Sequence, residues 1–205
     1  MAKEAQRERL LESLRTRLSD ERVLTAVAEV PRELFVDPAL HRFAYADRPL
    51  PIGGGQTISQ PSLVARMCEM LELGADDVVL DVGTGSGYHA ALLSRLCRYV
   101  YGIELDEELA ARAARALALA GIEKAAVCAG DGAAGLAQRA TFQAINVAAT
   151  ATDGVPEALE QQLAVGGRLI APVDGAEGEH LVLVRRSPEG LQRTRLDAVR
   201  FVPLR

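Results

Sequence analysis

The run Val78-Val79-Leu80-Asp81-Val82-Gly83-Thr84-Gly85-Ser86-Gly87-Tyr88 constrains the fold of this 205-residue chain more than any other stretch. Val78-Val79-Leu80 are apolar, and the two valines are β-branched, as in a buried strand. Gly83, Gly85 and Gly87 follow at alternate positions, where the absence of a Cβ allows a sharp turn and close approach of a ligand to the backbone. A helix-like run, His89 to Leu96, comes next. A second apolar segment, Tyr99-Val100-Tyr101-Gly102-Ile103, ends at Glu104. Strand, glycine turn, helix and strand make a βαβ unit. An acid at the tip of its second strand can accept hydrogen bonds from both hydroxyls of a ribose.

The glycine spacing narrows the ligand. Dinucleotide folds typically read Gly-x-Gly-x-x-Gly and seat a pyrophosphate on the helix N-terminus. Here the spacing is Gly-x-Gly-x-Gly, and Asp81 precedes it inside the strand. An acid there disfavours a pyrophosphate and suits a cationic amino group. S-adenosylmethionine, with an ammonium, a sulfonium and a ribose but no phosphate, meets these conditions. Asp81 and Glu104 are therefore expected at the cofactor.

The rest of the chain predicts a single α/β domain, with N-terminal helices and a loop over 1–75, a cofactor-binding core over 76–175 and C-terminal strands over 176–205. Residues 4–18 read as an amphipathic helix through Leu10, Leu11, Leu14 and Leu18. Ser19 or Asp20 can cap a second helix, 21–29, which Pro31 ends, and Asp37-Pro38 opens a further turn. Residues 46–62, with three prolines and three consecutive glycines, read as an irregular loop of functional length. Ser62 is expected to cap the helix that follows. Strands are predicted at 78–82, 99–104, 125–129, 142–147 and 167–172, alternating with helices at 88–96, 107–120, 132–139 and 156–163, as in a doubly wound sheet. The tail predicts a hairpin, 180–186 with 191–196, and a last strand segment at 199–203.

Net charge of −5 disfavours a general polyanion binder, and with 4% aromatics and no Trp there is no base-stacking platform, so no nucleic-acid partner is expected. The charged N-terminal residues resemble neither a signal peptide nor a membrane span. Cys68, Cys97 and Cys128 are odd in number and widely spaced, which reads as reduced thiols in a cytoplasmic protein. His41, His89 and His180 lack ligand spacing, so no metal is expected.

Two further stretches make the chain recognisable. Pro49-Leu50-Pro51-Ile52-Gly53 with Gly55-Gln56-Thr57-Ile58-Ser59-Gln60-Pro61 resembles the signature loop of the protein-L-isoaspartate O-methyltransferases. The run Val79 to Tyr88 resembles that family's first motif, Tyr101 to Asp106 its ribose motif and Gly130-Asp131-Gly132 its adenine-side motif. Gly166 to Pro172 and the ending Val199-Arg200-Phe201-Val202-Pro203-Leu204 match as well, so the likeness runs from about Arg7 to Leu204.

The resemblance implies a repair enzyme with a Rossmann-like class I fold. It would methylate the free α-carboxylate of L-isoaspartyl residues in damaged proteins and peptides, using S-adenosylmethionine. A cytoplasmic monomer is expected. A carboxylate is already ionised at neutral pH and needs no general base. Catalysis then reduces to aligning oxygen, methyl and sulfur. Ser59 is the expected orienting hydroxyl. Cofactor contacts are expected from Gln56, Thr57, Ile58, Asp81, Gly83, Thr84, Gly85, Ser86, Gly87, Glu104, Leu105, Asp131 and Gly132. Acceptor contacts are expected from Ile52, Ser59, Val199, Arg200 and Phe201.

Three positions depart from the family pattern. Ala133 and Ala134 follow the Gly-Asp-Gly turn where an aromatic is usual. Gln143 replaces an acid, and Asn146 replaces an apolar strand residue. Gln143 and Asn146 motivate one other reading, a cofactor-binding homologue without catalysis; a second alternative is a methyltransferase for a different peptide carboxylate, with a similar loop and a different peptide groove.

Overall fold

The computed structural model describes residues 2–204; Met1 and Arg205, the ends of the expected 1–205 domain, lie outside the described residues. Helices α1 (Ala2–Arg15) and α2 (Glu21–Glu29) lead into two 3-10 turns, Arg32–Phe35 and Pro38–Phe43. Asp20 is the cap of α2, accepting from the Arg22 N–H at 2.9 Å. A small antiparallel pair follows, β1 (Leu50–Gly53) with β2 (Gln56–Ile58), and then α3 (Pro61–Met70).

The stretch 46–62 is therefore a hairpin set in a loop, rather than loop throughout. The three glycines Gly53, Gly54 and Gly55 all have positive φ and make its turn. Ser62 is not the cap of α3. Gln60 holds that position with Pro61 at the first helical residue, where a missing N–H is harmless. Ser62 lies in the first turn, its N–H donating to Asp47.

The main elements alternate from there: β3 (Val78–Val82), α4 (Tyr88–Ser94), β4 (Tyr99–Glu104), α5 (Glu107–Leu119), β5 (Ala125–Ala129), β6 (Phe142–Val147), α6 (Glu157–Gln161), β7 (Leu163–Val173), β8 (His180–Ser187) and β9 (Gly190–Ala198). The sheet order is β5-β4-β3-β6-β7-β8-β9. Pairings from β5 to β7 are parallel, and β8 and β9 add antiparallel strands. The chain moves outward from β3 to β5, then returns to place β6 on the other side of β3. This reversal opens a crevice at the carboxyl ends of β3 and β6.

Side-chain parity divides the core. Val79 faces the layer built with α1 to α4, while Leu80 and Val82 face the layer that holds Phe142, Ile145 and Leu159. Asp81 shares the face of Val79, and Asn146 shares that of Ala144, so both point toward α4. The predicted helix 132–139 is two separate 3-10 turns, Gly132–Ala134 and Ala137–Arg139, interrupted by Gly135 at φ +67°. The predicted strand 199–203 is irregular. Its backbone bonds run to Thr150 and Glu179 instead of a ladder, with one bridge from Thr150 to Pro203.

Candidate active site

Glu104 ends β4, and its carboxylate turns back over the glycine loop. Oε2 accepts from the Gly85 N–H at 2.8 Å, and Oε1 accepts from the Asp106 N–H at 3.1 Å. Each oxygen makes one bond to protein, so acceptor capacity remains on both. Asp106 in turn caps α5 by accepting from Glu108 and Leu109. The glycine loop lies tightly against α5: a Cβ on Gly87, whose φ is +89°, would sit 3.3 Å from Ala113 Cβ. The short side chain of Ala113 and the absent one of Gly87 together bring loop and helix into contact.

A narrow cleft opens beside Glu104 at the carboxyl ends of the central strands. Gly83 and Gly85 form one wall; Glu104, Leu105 and Gly132 form another; Gln56 and Thr57 reach it from the hairpin. Gly132 has no room for a side chain, because a Cβ would fall 2.6 Å from Val82 Cγ1. The residues suit a nucleoside with a ribose. Backbone is exposed where glycines leave it bare, and a two-oxygen acceptor with spare lone pairs stands at the strand tip.

A second, larger cleft of about 750 Å³ adjoins it. Ser59, Val199, Arg200 and Phe201 line it. The hydroxyl of Ser59 makes no hydrogen bond among the described residues. Thr57, Ala148 and Val202 belong to the walls of both clefts, so the two spaces meet there. The segment carrying Val202 is tied down from both sides. Thr150 N donates to Val202 O at 2.7 Å and Leu204 N to Thr150 O at 2.8 Å, while Glu179 Oε2 accepts from Phe201 N at 2.8 Å and Thr150 Oγ1 at 3.0 Å.

Several residues expected at the cofactor or the acceptor line neither cleft. Asp81 is fully buried; its Oδ1 accepts from Asn146 Nδ2 at 2.7 Å, and it lines neither cleft. Strand parity turns it toward α4, and its Oδ2 has no hydrogen-bond partner among the described residues. Burial pushes its carboxyl up to about 7. Thr84 is buried, its hydroxyl donating to the Asp81 carbonyl. Ser86 Oγ accepts from the Tyr88 N–H and faces a separate groove. Gly87 is occupied with α5. Ile58 is buried, and Ile52 packs against Gly85 instead of lining the larger cleft. Asp131 stands exposed beside Gly132, one oxygen accepting from the Ala133 N–H.

The departures find structural partners. Gln143 Oε1 accepts from the Val78 N–H at 2.9 Å, at the strand end away from the clefts. Asn146 joins Asp81 to His89 Nδ1, 3.1 Å away. Burial pushes His89 down to about 3.

Ala148, Ala149 and Val202 were missed as wall residues. Their signal was position: the first two follow β6 directly, at the switch point. Arg32 was missed as well; it is fully buried, and its Nη2 donates to Ser59 O at 2.7 Å. No local pattern marks an arginine for the interior.

A parallel-centred sheet that opens onto a glycine loop at its switch point, with a strand-end acid closing over the loop, defines a Rossmann-like class I methyltransferase. The sequence model of the family described as protein-L-isoaspartate(D-aspartate) O-methyltransferase matches residues 5–205. The chain belongs to that family. A Koribacter versatilis protein-L-isoaspartate O-methyltransferase is 52% identical over 91% of this chain and 84% of its own length. A solved protein-L-isoaspartate O-methyltransferase superposes with a TM-score of 0.86 at 30% identity, over 96% of this chain and 65% of that one. A solved Plasmodium falciparum protein, described as a putative member in complex with S-adenosyl-L-homocysteine, gives 0.83 at 26% identity over 96% of both chains.

Proposed function

We infer that this protein transfers a methyl group from S-adenosylmethionine to the free α-carboxylate of L-isoaspartyl residues in damaged proteins and peptides. One observation carries the reading beyond family membership. The narrow glycine-walled cleft and the 750 Å³ cleft meet at Thr57, Ala148 and Val202, as a donor site and an acceptor site must. When bound, the cofactor supplies an electrophilic methyl group on a sulfonium.

The residues of the chain do the rest by placement. Glu104 accepts from the ribose hydroxyls with the lone pairs that Gly85 and Asp106 leave free. Asp131 uses one oxygen on its own turn and keeps the other for the adenine amino group. Gln56, Thr57, Leu105 and the backbone at Gly83, Gly85 and Gly132 shape the donor wall. Ser59 donates its hydroxyl to the acceptor carboxylate and aims one oxygen at the methyl group. Val199 and Phe201 keep water from the acceptor side, and Arg200 meets the peptide. No base is needed, because the nucleophile is ionised before it arrives.

We further infer a cytoplasmic monomer that binds no nucleic acid and no membrane. All three cysteines are unbridged, as in a reducing compartment. Among the described residues the large exposed apolar side chains are Leu105, Leu119 and Val165, and no helix is long and apolar enough to cross a membrane. Methyl transfer from labelled cofactor to matched peptides tests the main reading. The isoaspartyl peptide is expected to be methylated and its aspartyl counterpart ignored. Equal labelling of the two would refute the assigned specificity, and labelling of neither would leave a binding protein without this catalysis.

A further inference from the structure

Arg32 is fully buried and forms no salt bridge among the described residues, although the Asp47 carboxylate acts on it at longer range. Burying an uncompensated cation is unfavourable, and arginine cannot shed its proton to avoid the penalty. Burial pulls its pKa down, opposed first by Tyr88 and then by Asp47 and Tyr45. The guanidinium uses backbone and ring partners instead. Nε donates to Ala44 O at 2.8 Å, and Nη2 to Ser59 O at 2.7 Å. Its central carbon stands 4.5 Å above the ring of Tyr88. Tyr88 is the first residue of α4, directly after Gly87, and is braced edge-on by Phe35 at 5.6 Å.

One side chain therefore spans the two halves of the site. The acceptor segment hangs on it through the Ser59 carbonyl, and the glycine loop supports it through Tyr88. Ser59 lies just outside β2, and outside the hairpin ladder this bond is the hydrogen bond that reaches it among the described residues. An apolar residue could fill the same volume without the desolvation penalty. The span between Ser59 and the loop is what such a replacement would lose.

We propose that Arg32 is a positioning residue for methyl transfer, acting through Ser59 to hold the acceptor carboxylate in line with the donor. The proposal rests on the reading of Ser59 as the carboxylate-orienting hydroxyl. In-line transfer tolerates little misplacement, so a loosened Ser59 backbone should slow turnover while leaving the cofactor side intact.

The test is a double-mutant cycle of Arg32→Lys with Ser59→Ala, read with NMR backbone order parameters and amide exchange in the free protein. Lysine keeps the charge and most of the stem, but its compact ammonium lacks the rigid fork that serves both carbonyls. Arg32→Lys is expected to lower kcat on an isoaspartyl peptide about tenfold or more, with cofactor affinity within about twofold. Backbone order parameters at 59–60 should fall while amide exchange in β3 is unchanged. In the Ser59→Ala background the same change should lower kcat less than about threefold, because coupled residues are not additive. Additive losses, or a parallel loss of cofactor affinity with faster exchange throughout β3, would overturn the proposal. Tyr88→Leu, which removes the aromatic floor beneath the guanidinium, should reproduce the pattern and serves if the lysine variant does not fold. A wild-type protein inert toward isoaspartyl peptide would defeat the functional reading alone; order parameters at 59–60 would still decide whether Arg32 holds that segment.

Discussion

Asn146 Nδ2 donates to Asp81 Oδ1 at 2.7 Å across neighbouring parallel strands, and the same amide stands 3.1 Å from His89 Nδ1 on the helix above. A position that strand patterning reserves for an apolar side chain is thus the link between a buried acid and a buried imidazole. Replacing it with the apolar residue that the pattern prefers should weaken the fold. Asn146→Val strands Asp81 Oδ1 and His89 Nδ1 and is expected to destabilise by about 2–4 kcal/mol. Urea denaturation measures this, and a variant as stable as the wild type would show that the amide is dispensable.

Asp81 predicts a pH dependence of defined sign. Its folded pKa, about 7, lies above its ordinary value near 4. The native state therefore keeps a proton that the unfolded chain releases. The stability from this carboxyl is full below about pH 4 and is lost as pH rises through about 7, a total of about 4 kcal/mol. His89, with its folded pKa pushed down to about 3, acts oppositely, losing stability as pH falls below about 6.5. The two slopes offset one another in mildly acidic solution. Asp81→Asn removes the first alone, so the variant should gain on the wild type progressively from pH 4 to pH 8. Denaturation at several pH values tests this; a constant difference between the proteins would contradict it.

Glu104→Gln should damage the donor side. A glutamine has one acceptor oxygen, and its NH2 would face a backbone N–H at either Gly85 or Asp106. Cofactor affinity is expected to fall about tenfold or more, with losses of ~1.5–3 kcal/mol for each charge-assisted bond before water compensates. Calorimetry with S-adenosylhomocysteine reads the effect, and unchanged affinity would remove Glu104 from the ribose.

Ser59→Ala should damage the acceptor side. The methylation rate is expected to drop about 10- to 1000-fold, or ~1.4–4 kcal/mol of transition-state stabilisation. Cofactor affinity should hold. No base lies in the loop to activate the hydroxyl, so mass spectrometry of the working enzyme should find no methyl group on Ser59. Undiminished turnover, or a methylated serine, would end the orienting role.

Much of this architecture was legible from local residues. The strands at 78–82, 99–104, 125–129 and 142–147 appear with the expected bounds, because apolar runs closed by glycines or acids leave few other ways to bury them. The hairpin at 50–58 was hidden by Pro51 and three glycines, which argue against strand locally. The ending 199–203 erred the other way: its composition suits a strand, but its backbone groups are taken by Thr150 and Glu179.

The βαβ unit, the glycine turn and the acid at its tip were determined by the sequence itself, since each follows from neighbours a few residues apart. The direction of Asp81, the partners of Asn146, the burial of Arg32 and the meeting of Thr57, Ala148 and Val202 were decided by tertiary structure. Asp81 and Asn146 are 65 residues apart, and Arg32 and Ser59 are 27 apart. Strand parity assigns a side chain to a face, but which helix covers that face, and so whether the side chain meets a ligand or another side chain, depends on how the layers pack.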